Sequence, residues 1–228
     1  MRATAQQGNC GAGFFGKMPS HGDFISRRLP GSFLATWDEW LQTGLQQSRE
    51  QLGPAWLDTY LNSPIWRFAL APGVCDDSTW AGVLIPSVDR VGRHFPLTLA
   101  ADIENTPDLL EWLTTSGNWY AQLEDLALSV LDVDFLFTEF DSALSALVLP
   151  DPVSGSESAR ASAGVLRLPL HSVDALQNEL PGMLRQMTSF TLAGHAVWWT
   201  DGSAHVEPSL LLSRGLPEST AFVGMLDG

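Results

Sequence analysis

Apolar residues recur every three or four positions between residues 32 and 53, which is the spacing typical of an amphipathic helix. Ser32 is predicted to be the N-cap, and the Gly53-Pro54 pair is predicted to end the helix. One face of this helix is apolar and should pack against a β-sheet. The residues on that face are Phe33, Trp37, Trp40, Leu41, Leu45 and Leu52.

Shorter apolar runs predict four strands in the first half of the chain, at residues 12–17, 65–71, 79–86 and 95–102. The last three are joined by short links rich in Gly, Pro, Asp and Ser. Such links favour antiparallel neighbours over helical crossovers, and the simplest interpretation is an antiparallel meander.

The second half of the chain alternates helical and extended patterns. Thr106-Pro107-Asp108 predicts the start of a helix, and helical spacing returns twice further on. The predicted elements after that start are helical stretches at residues 120–130 and 140–148, strands near residues 165–168, 196–200 and 206–212, and a helix after Ser172.

The whole pattern predicts an α/β fold. Residues 150–164 are poor in apolar side chains, and we interpret them as a mobile surface loop within one domain of residues 1–228. Strands that surround and alternate with helices predict a three-layer α/β/α sandwich with a mixed, largely antiparallel central sheet.

Composition narrows the possible functions. The chain has 228 residues with 12 Lys and Arg against 26 Asp and Glu, which is too few cations to make nucleic acid a plausible partner. No apolar run is long enough to span a membrane, and the N-terminus lacks the apolar core of a secretory signal. We therefore expect a cytoplasmic protein that does not insert into membranes. Cys10 and Cys75 are predicted to be reduced, structural thiols.

Charge is unevenly distributed along the chain. Residues 1–93 carry eight Lys and Arg and eight Asp and Glu, so the net charge of −14 belongs to the remainder. Residues 94–159 contain no Lys or Arg and twelve carboxylates. These carboxylates either lie on solvated helix faces or form a docking surface for a basic partner.

Two polar segments rich in Gly and Pro, residues 16–24 and 86–96, carry the candidate chemistry. His21, Asp23, Asp89 and His94 could form an acid/base or metal site if the two segments meet. No cofactor is predicted. Residues 11–18 follow the phosphate-binding loop pattern only up to Met18, where that loop needs a magnesium-binding hydroxyl group.

A structural interpretation of the same segments competes with the catalytic one. In it, Asp23 stabilises a turn and pairs with Arg90 or Arg93. Arg67 also needs a carboxylate partner, and Asp23 or Asp89 is the candidate, because an unpaired buried guanidinium group is costly. We therefore expect Asp23 to lie near Arg67, Arg90 or Arg93.

Four motifs occur in order within residues 12–102. They are G-K-x-P-x-x-G-D-F-x-x-R at residues 16–27, W-R-F at 66–68, W-x-G-V at 80–83 and P-S-V-D-R-V-G-R-x-F-P-L at 86–97. This combination resembles the TagF family, also called ImpM, whose members are associated with bacterial type VI secretion.

The resemblance implies a cytoplasmic, non-enzymatic accessory protein that represses secretion post-translationally by binding a forkhead-associated scaffold. It provides no catalytic residues and no cofactor. An enzyme with a small-ligand or metal site at the two histidines and two aspartates stays an alternative, as does a structural subunit of the apparatus. The residues expected to form or support the protein-binding surface are Lys17, His21, Asp23, Arg27, Arg67, Asp89, Arg90, Arg93 and His94.

Overall fold

A seven-stranded antiparallel sheet forms the centre of the computed structural model. The structure describes residues 11–103, 109–150, 160–162, 165–167 and 191–228. The strands are β1 (Gly13–Gly16), β2 (Ile25–Arg27), β3 (Trp66–Leu70), β4 (Trp80–Ile85), β5 (Leu97–Asp102), β6 (Arg160–Ser162), β7 (Val165–Arg167), β8 (His195–Thr200) and β9 (Ser209–Arg214). The helices are α1 (Gly31–Leu52), α2 (Trp56–Leu61), α3 (Leu109–Thr115), α4 (Gly117–Ser129), α5 (Phe137–Ser145) and α6 (Ser219–Asp227).

The strand order of the large sheet is β2-β1-β5-β4-β3-β8-β9, and β6 pairs with β7 in a separate two-stranded sheet. Every ladder between described strands is antiparallel. The predicted α/β fold with a largely antiparallel sheet is confirmed, but the described strands contain no parallel ladder, which the predicted mixed sheet would require. Parallel neighbours need a crossover connection, and here α1 and α2 connect β2 to β3, which are not neighbours in the sheet.

One face of the sheet packs against α1 and α6. Trp66, Phe68 and Leu70 alternate along β3 towards this face and join the apolar residues of α1 in one buried cluster. Trp37 of α1 is fully buried, and its indole N–H donates a hydrogen bond to Thr98 Oγ1 of β5 at 2.8 Å. The apolar face predicted for this helix therefore lies on the sheet.

The N-terminal end of α1 differs from its prediction. Helix α1 begins at Gly31 after Pro30, and no side chain caps it. The Ser32 hydroxyl group donates a hydrogen bond to Asp76 Oδ2 at 2.8 Å instead. Ser32 is thus not the N-cap, because the helix begins one residue before it and Pro30 occupies the N-cap position.

The opposite face of the sheet packs against α3, α4 and α5. Phe14, Val83 and Leu99 belong to the buried cluster on this side. The Tyr120 hydroxyl group of α4 donates a hydrogen bond to the backbone oxygen of Phe68 at 2.8 Å. Helices thus pack on both faces, while the division into three layers stays a prediction.

Several predicted elements match the observed ones closely, and a few predictions fall elsewhere. The meander of β3, β4 and β5 is observed, and the predicted strand at 206–212 occurs as Ser209–Arg214. Strands β2 and β6 and helices α2 and α6 were not predicted, and β6 lies within the stretch predicted to be a loop. The helix start at Thr106 and the helix after Ser172 lie outside the described residues. Of the predicted loop at 150–164, only Pro150 and β6 are described.

Cys75 has the properties expected of a structural thiol. It is free and half-buried, and burial together with the neighbouring Asp76 carboxylate raises its pKa to about 12. The thiolate form is therefore scarce at neutral pH. Cys10 lies outside the described residues.

Candidate functional site

Two loops meet at the buried carboxylate of Asp89. We call residues 17–24 the first loop and residues 86–95 the second loop. Lys17 Nζ donates a hydrogen bond to Asp89 Oδ2 at 3.0 Å, and Arg93 Nε donates to the same oxygen at 2.7 Å. The Asp89 side chain is 0% exposed and that of Lys17 is 6% exposed. One carboxylate therefore links the two loops in the interior.

The local backbone of the second loop explains the position of Asp89. Its Oδ1 accepts hydrogen bonds from the backbone N–H groups of Val91 and Arg93 at 3.0 and 2.9 Å. Gly92 has a φ of 87°, a left-handed conformation that glycine adopts with little strain. The carboxylate thus stabilises its own turn and binds the first loop at the same time.

Two opposing effects act on the ionisation of Asp89. Burial by itself would raise the pKa of this carboxyl group. The backbone N–H of Arg93, the Lys17 ammonium, the Arg93 guanidinium and the backbone N–H of Val91 donate hydrogen bonds that outweigh burial and hold the pKa well below its usual range. Asp89 is therefore charged at neutral pH, with both oxygens occupied.

Further hydrogen bonds join the backbones of the two loops. Ser87 Oγ donates to the Lys17 carbonyl oxygen at 2.7 Å, and the Arg90 N–H donates to the His21 carbonyl oxygen at 2.8 Å. Tyr60 Oη donates to the Ser87 carbonyl oxygen at 2.8 Å and accepts from the Ser87 N–H at 2.9 Å. The predicted meeting of the two segments is thus observed, and they form one ordered unit.

Asp23 does not have the role expected of it. Its Oδ1 accepts a hydrogen bond from the Phe24 N–H at 2.8 Å, and it forms no ion pair within the described residues. The two arginines lie near the preceding residue, because Arg93 Nη2 donates to the Gly22 carbonyl oxygen at 2.5 Å and Arg90 Nη2 is 3.4 Å from where a Cβ on Gly22 would lie. The buried carboxylate of the loops is Asp89, not Asp23.

Arg67 pairs with carboxylates outside both loops. Its Nε lies 2.5 Å from Glu124 Oε1 of α4, and its Nη2 lies 2.7 Å from Asp201 Oδ2. The expectation that Asp23 or Asp89 pairs with Arg67 is therefore wrong. Alternation along β3 turns Arg67 away from the α1 side, and α4 covers the face on which its side chain lies.

The two histidines do not join the aspartates in a ligand set. His21 lies against the Phe137 ring at 4.6 Å, with its Nδ1 2.9 Å from Ser20 Oγ. His94 stacks edge-on against Trp56 and Tyr60. Across the described ranges, no group of three His, Cys, Asp or Glu side chains could hold a metal ion. The geometry gives the four-residue metal site no support.

Asp141 of α5 is a partner that the sequence did not reveal. It forms an ion pair with Arg27, and its Oδ1 accepts a hydrogen bond from Arg28 Nη1 at 2.7 Å. Burial opposes ionisation of Asp141, but the two arginines lower its pKa. The Arg27 guanidinium also lies 4.9 Å from the centre of the Phe137 ring. Because residues 94–159 contain no Lys or Arg, the sequence indicates that a carboxylate in this stretch can pair only with a cation from elsewhere in the chain. It does not indicate which cation that is.

An exposed rim surrounds the junction of the two loops. We define the rim as Phe24, Arg90, Val91 and Arg93. Phe24 is 45% exposed although its ring contacts Phe95, with centroids 4.8 Å apart. Val91 is 66% exposed, and Arg90 has no carboxylate partner in the described part of the chain. The rim therefore presents apolar and cationic groups on an ordered base.

The family model for the TagF N-terminal domain, described as type VI secretion system-associated, matches residues 13–147. The chain belongs to the TagF family. The matched range contains both loops and their ion pairs. This TagF-family chain is also similar to a solved structure, that of PA0076 from Pseudomonas aeruginosa PAO1, with 36% sequence identity and a TM-score of 0.83. The similarity covers 95% of this chain and 94% of that one.

Comparison with curated proteins gives no match. None of the helices within the described ranges has the length and apolar character needed to cross a membrane.

Proposed function

We propose that this TagF-family protein is a non-enzymatic, cytoplasmic accessory protein of the type VI secretion system. In this proposal it represses secretion post-translationally by binding a forkhead-associated scaffold component. The observation that carries the proposal is the exposed rim held over the buried ion pair of Lys17 and Asp89, to which Arg93 of the rim also binds. A type VI secretion-associated family model that spans both loops supplies the biological context.

An ordered rim suits protein binding. The buried carboxylate and the hydrogen bonds between the loops fix the backbone before a partner arrives, so little conformational entropy remains to be lost on association. Phenylalanine and arginine are also residue types that are enriched in protein–protein interfaces relative to the rest of the surface. Phe24 and Arg90 supply these types at the rim.

The arrangement of ionisable groups supports a non-enzymatic role. A general base needs a free lone pair within reach of a substrate proton. Asp89 is enclosed, and both of its oxygens accept hydrogen bonds from protein donors. His21 and His94 pack against separate aromatic groups. The buried carboxylate is thus engaged in holding the loops together, and the two histidines lie apart from it and from each other.

The test is a binding measurement between this protein and the purified forkhead-associated scaffold of the same bacterium. Arg90→Glu should weaken binding at least about tenfold, because it reverses a rim charge that has no carboxylate partner among the described residues. Arg214→Glu is the matched control, since Arg214 is also exposed but lies on β9 at the far edge of the sheet. Equal losses for both variants, or no binding by the wild-type protein, would refute the proposal.

A secretion assay tests the sign of the regulation. Overproduction of the wild-type protein should reduce the amount of secreted effector, and overproduction of the Arg90→Glu variant should not. Unchanged or increased secretion with the wild-type protein would contradict a repressor. Effector levels inside the cell provide the control for post-translational action, because they should stay constant.

A further inference from the structure

The turn between α4 and α5 exposes an unusual concentration of apolar side chains. Val133 is fully exposed, and Leu128, Leu131 and Leu136 are each about half exposed. Single apolar residues on a surface are ordinary, whereas a contiguous group marks an interaction site. We call residues 128–136 the acidic turn, because its other exposed side chains include two aspartates.

The acidic turn is ordered. Val130 is buried, and the Phe135 ring lies 5.6 Å from that of Phe140 in the core, measured between centroids. Backbone hydrogen bonds close the turn, from the Leu131 N–H to the Leu128 carbonyl oxygen at 3.0 Å and from the Asp132 N–H to the Ser129 carbonyl oxygen at 3.1 Å. The exposed leucines and valine are therefore held outward by residues that point inward.

The charge of the turn indicates what it would bind. Asp132 and Asp134 are exposed, flank Val133 on either side, and form no ion pair within the described residues. The surrounding stretch of residues 94–159 contains twelve Asp and Glu and no Lys or Arg. A partner with an acidic rim would be repelled, and one with a basic rim attracted.

We propose that the acidic turn is a docking surface for a protein that presents Lys and Arg around an apolar recess. Val133 and the three leucines fill the recess, and Asp132 and Asp134 pair with the surrounding cations. This surface shares no residue with the rim proposed to bind the scaffold and has the opposite charge. The proposal therefore does not depend on that proposed function.

In the test, a photo-crosslinking amino acid replaces Val133 in the full chain, which is produced in the bacterium that carries the protein. The peptide that becomes crosslinked is then sequenced. The expected product is a peptide from another protein that contains both Lys or Arg and apolar residues. In the same chain, Asp132→Asn with Asp134→Asn should lower the crosslinking yield about tenfold, because both attractive charges are removed. Circular dichroism checks that the variant remains folded.

A crosslinker at Thr43 is the matched control, since Thr43 is exposed on α1, which packs on the other face of the sheet. Equal yields of the same product from both positions would overturn the proposal. So would a peptide without cations, a peptide from a second copy of this chain, no product at all, or a yield that is unaffected by the two asparagines.

Discussion

Lys17 and Asp89 are 72 residues apart in sequence, and their side chains meet at 3.0 Å in the protein interior. The sheet explains this contact, because Lys17 follows β1 directly and β1 pairs with β5, with Gly16 opposite Leu97. The first loop therefore leaves the sheet next to the point where the second loop enters it. Strand pairing at this end of the sheet brings together two loops that each carry part of one ion-pair network.

Replacement of Lys17 by methionine should destabilise the protein strongly. Methionine preserves the apolar stem but removes one of the two side-chain cations that neutralise a buried carboxylate. Breaking a buried pair from one side costs about 3 kcal/mol, which corresponds to a fall in Tm of roughly 10 °C for a chain of this size. Thermal unfolding measures the effect. Arg90→Met is the control, and it should cost less than about 0.5 kcal/mol because Arg90 is exposed. Equal losses of stability in the two variants would show that burial of the Lys17–Asp89 pair is unimportant.

Acid should lower the free energy of unfolding, because it protonates Asp89. Its pKa is lowered in the folded state, so the unfolded state binds more protons as pH falls below the usual aspartate pKa of about 3.9. The stabilisation is present above that pH and is lost progressively as pH falls through the folded pKa. Urea unfolding at pH 7, 4 and 3 should show the Asp89→Asn variant losing less stability with acid than the wild type. Parallel losses would assign the acid sensitivity to other groups such as Asp141.

The two carboxylates that pair with Arg67 should contribute unequally to the stability of the folded protein. Glu124 and Arg67 are each less than 20% exposed at the side chain, whereas Asp201 is 85% exposed. Exposed ion pairs contribute little, while a partly buried charged hydrogen bond contributes more. Glu124→Gln should therefore cost about 1.5 kcal/mol and Asp201→Asn about 0.5 kcal/mol or less. Chemical denaturation of both variants measures their free energies of unfolding. A larger loss for Asp201→Asn than for Glu124→Gln would show that Asp201 is the more important partner of Arg67.

The hydrogen bond between Trp37 and Thr98 should appear as a coupling energy. Both residues are fully buried, so Trp37→Phe leaves the Thr98 hydroxyl group without its donor. Thr98→Val removes the other partner. The double variant should be less destabilised than the sum of the single variants by about 1 kcal/mol. Denaturation of the four proteins gives this value, and strict additivity would mean that the hydrogen bond contributes nothing beyond packing.

Helical and strand periodicity predicted α1 and the meander of β3, β4 and β5, because those patterns depend on residues close in sequence. It did not predict β2, whose three residues are too few to show alternation. Nor did it predict that every ladder between the described strands is antiparallel. That property depends on which strands become neighbours, and β1 pairs with β5 across more than 80 residues.

The partners of charged residues were harder to predict than the loops that carry them. Asp23 and Asp89 both lie in polar loops, and either could have been the buried carboxylate. Asp89 is selected because the turn that follows it directs two backbone N–H groups at Oδ1. For Arg67, sequence predicted that a carboxylate was needed, but the choice of Glu124 depends on how α4 packs on the sheet. The local turn therefore determines the role of Asp89, whereas tertiary packing determines the partner of Arg67.

The Gly92→Ala variant tests whether the turn of the second loop contributes to stability independently of the ion pairs of that loop. The φ of 87° at Gly92 is unfavourable for a residue with a Cβ, and, its chain neighbours apart, none of the described residues has an atom within 4 Å of where that Cβ would be. Gly92→Ala should therefore introduce backbone strain without a steric clash and cost about 1 kcal/mol. Gly31→Ala is the matched control, because Gly31 has the same free space, no positive φ and a helical position where alanine is favoured. Thermal unfolding should show a lower Tm for Gly92→Ala and an unchanged or higher Tm for Gly31→Ala. If the Gly92 variant were as stable as the wild type, the left-handed turn could not be what directs the N–H groups of Val91 and Arg93 at Asp89.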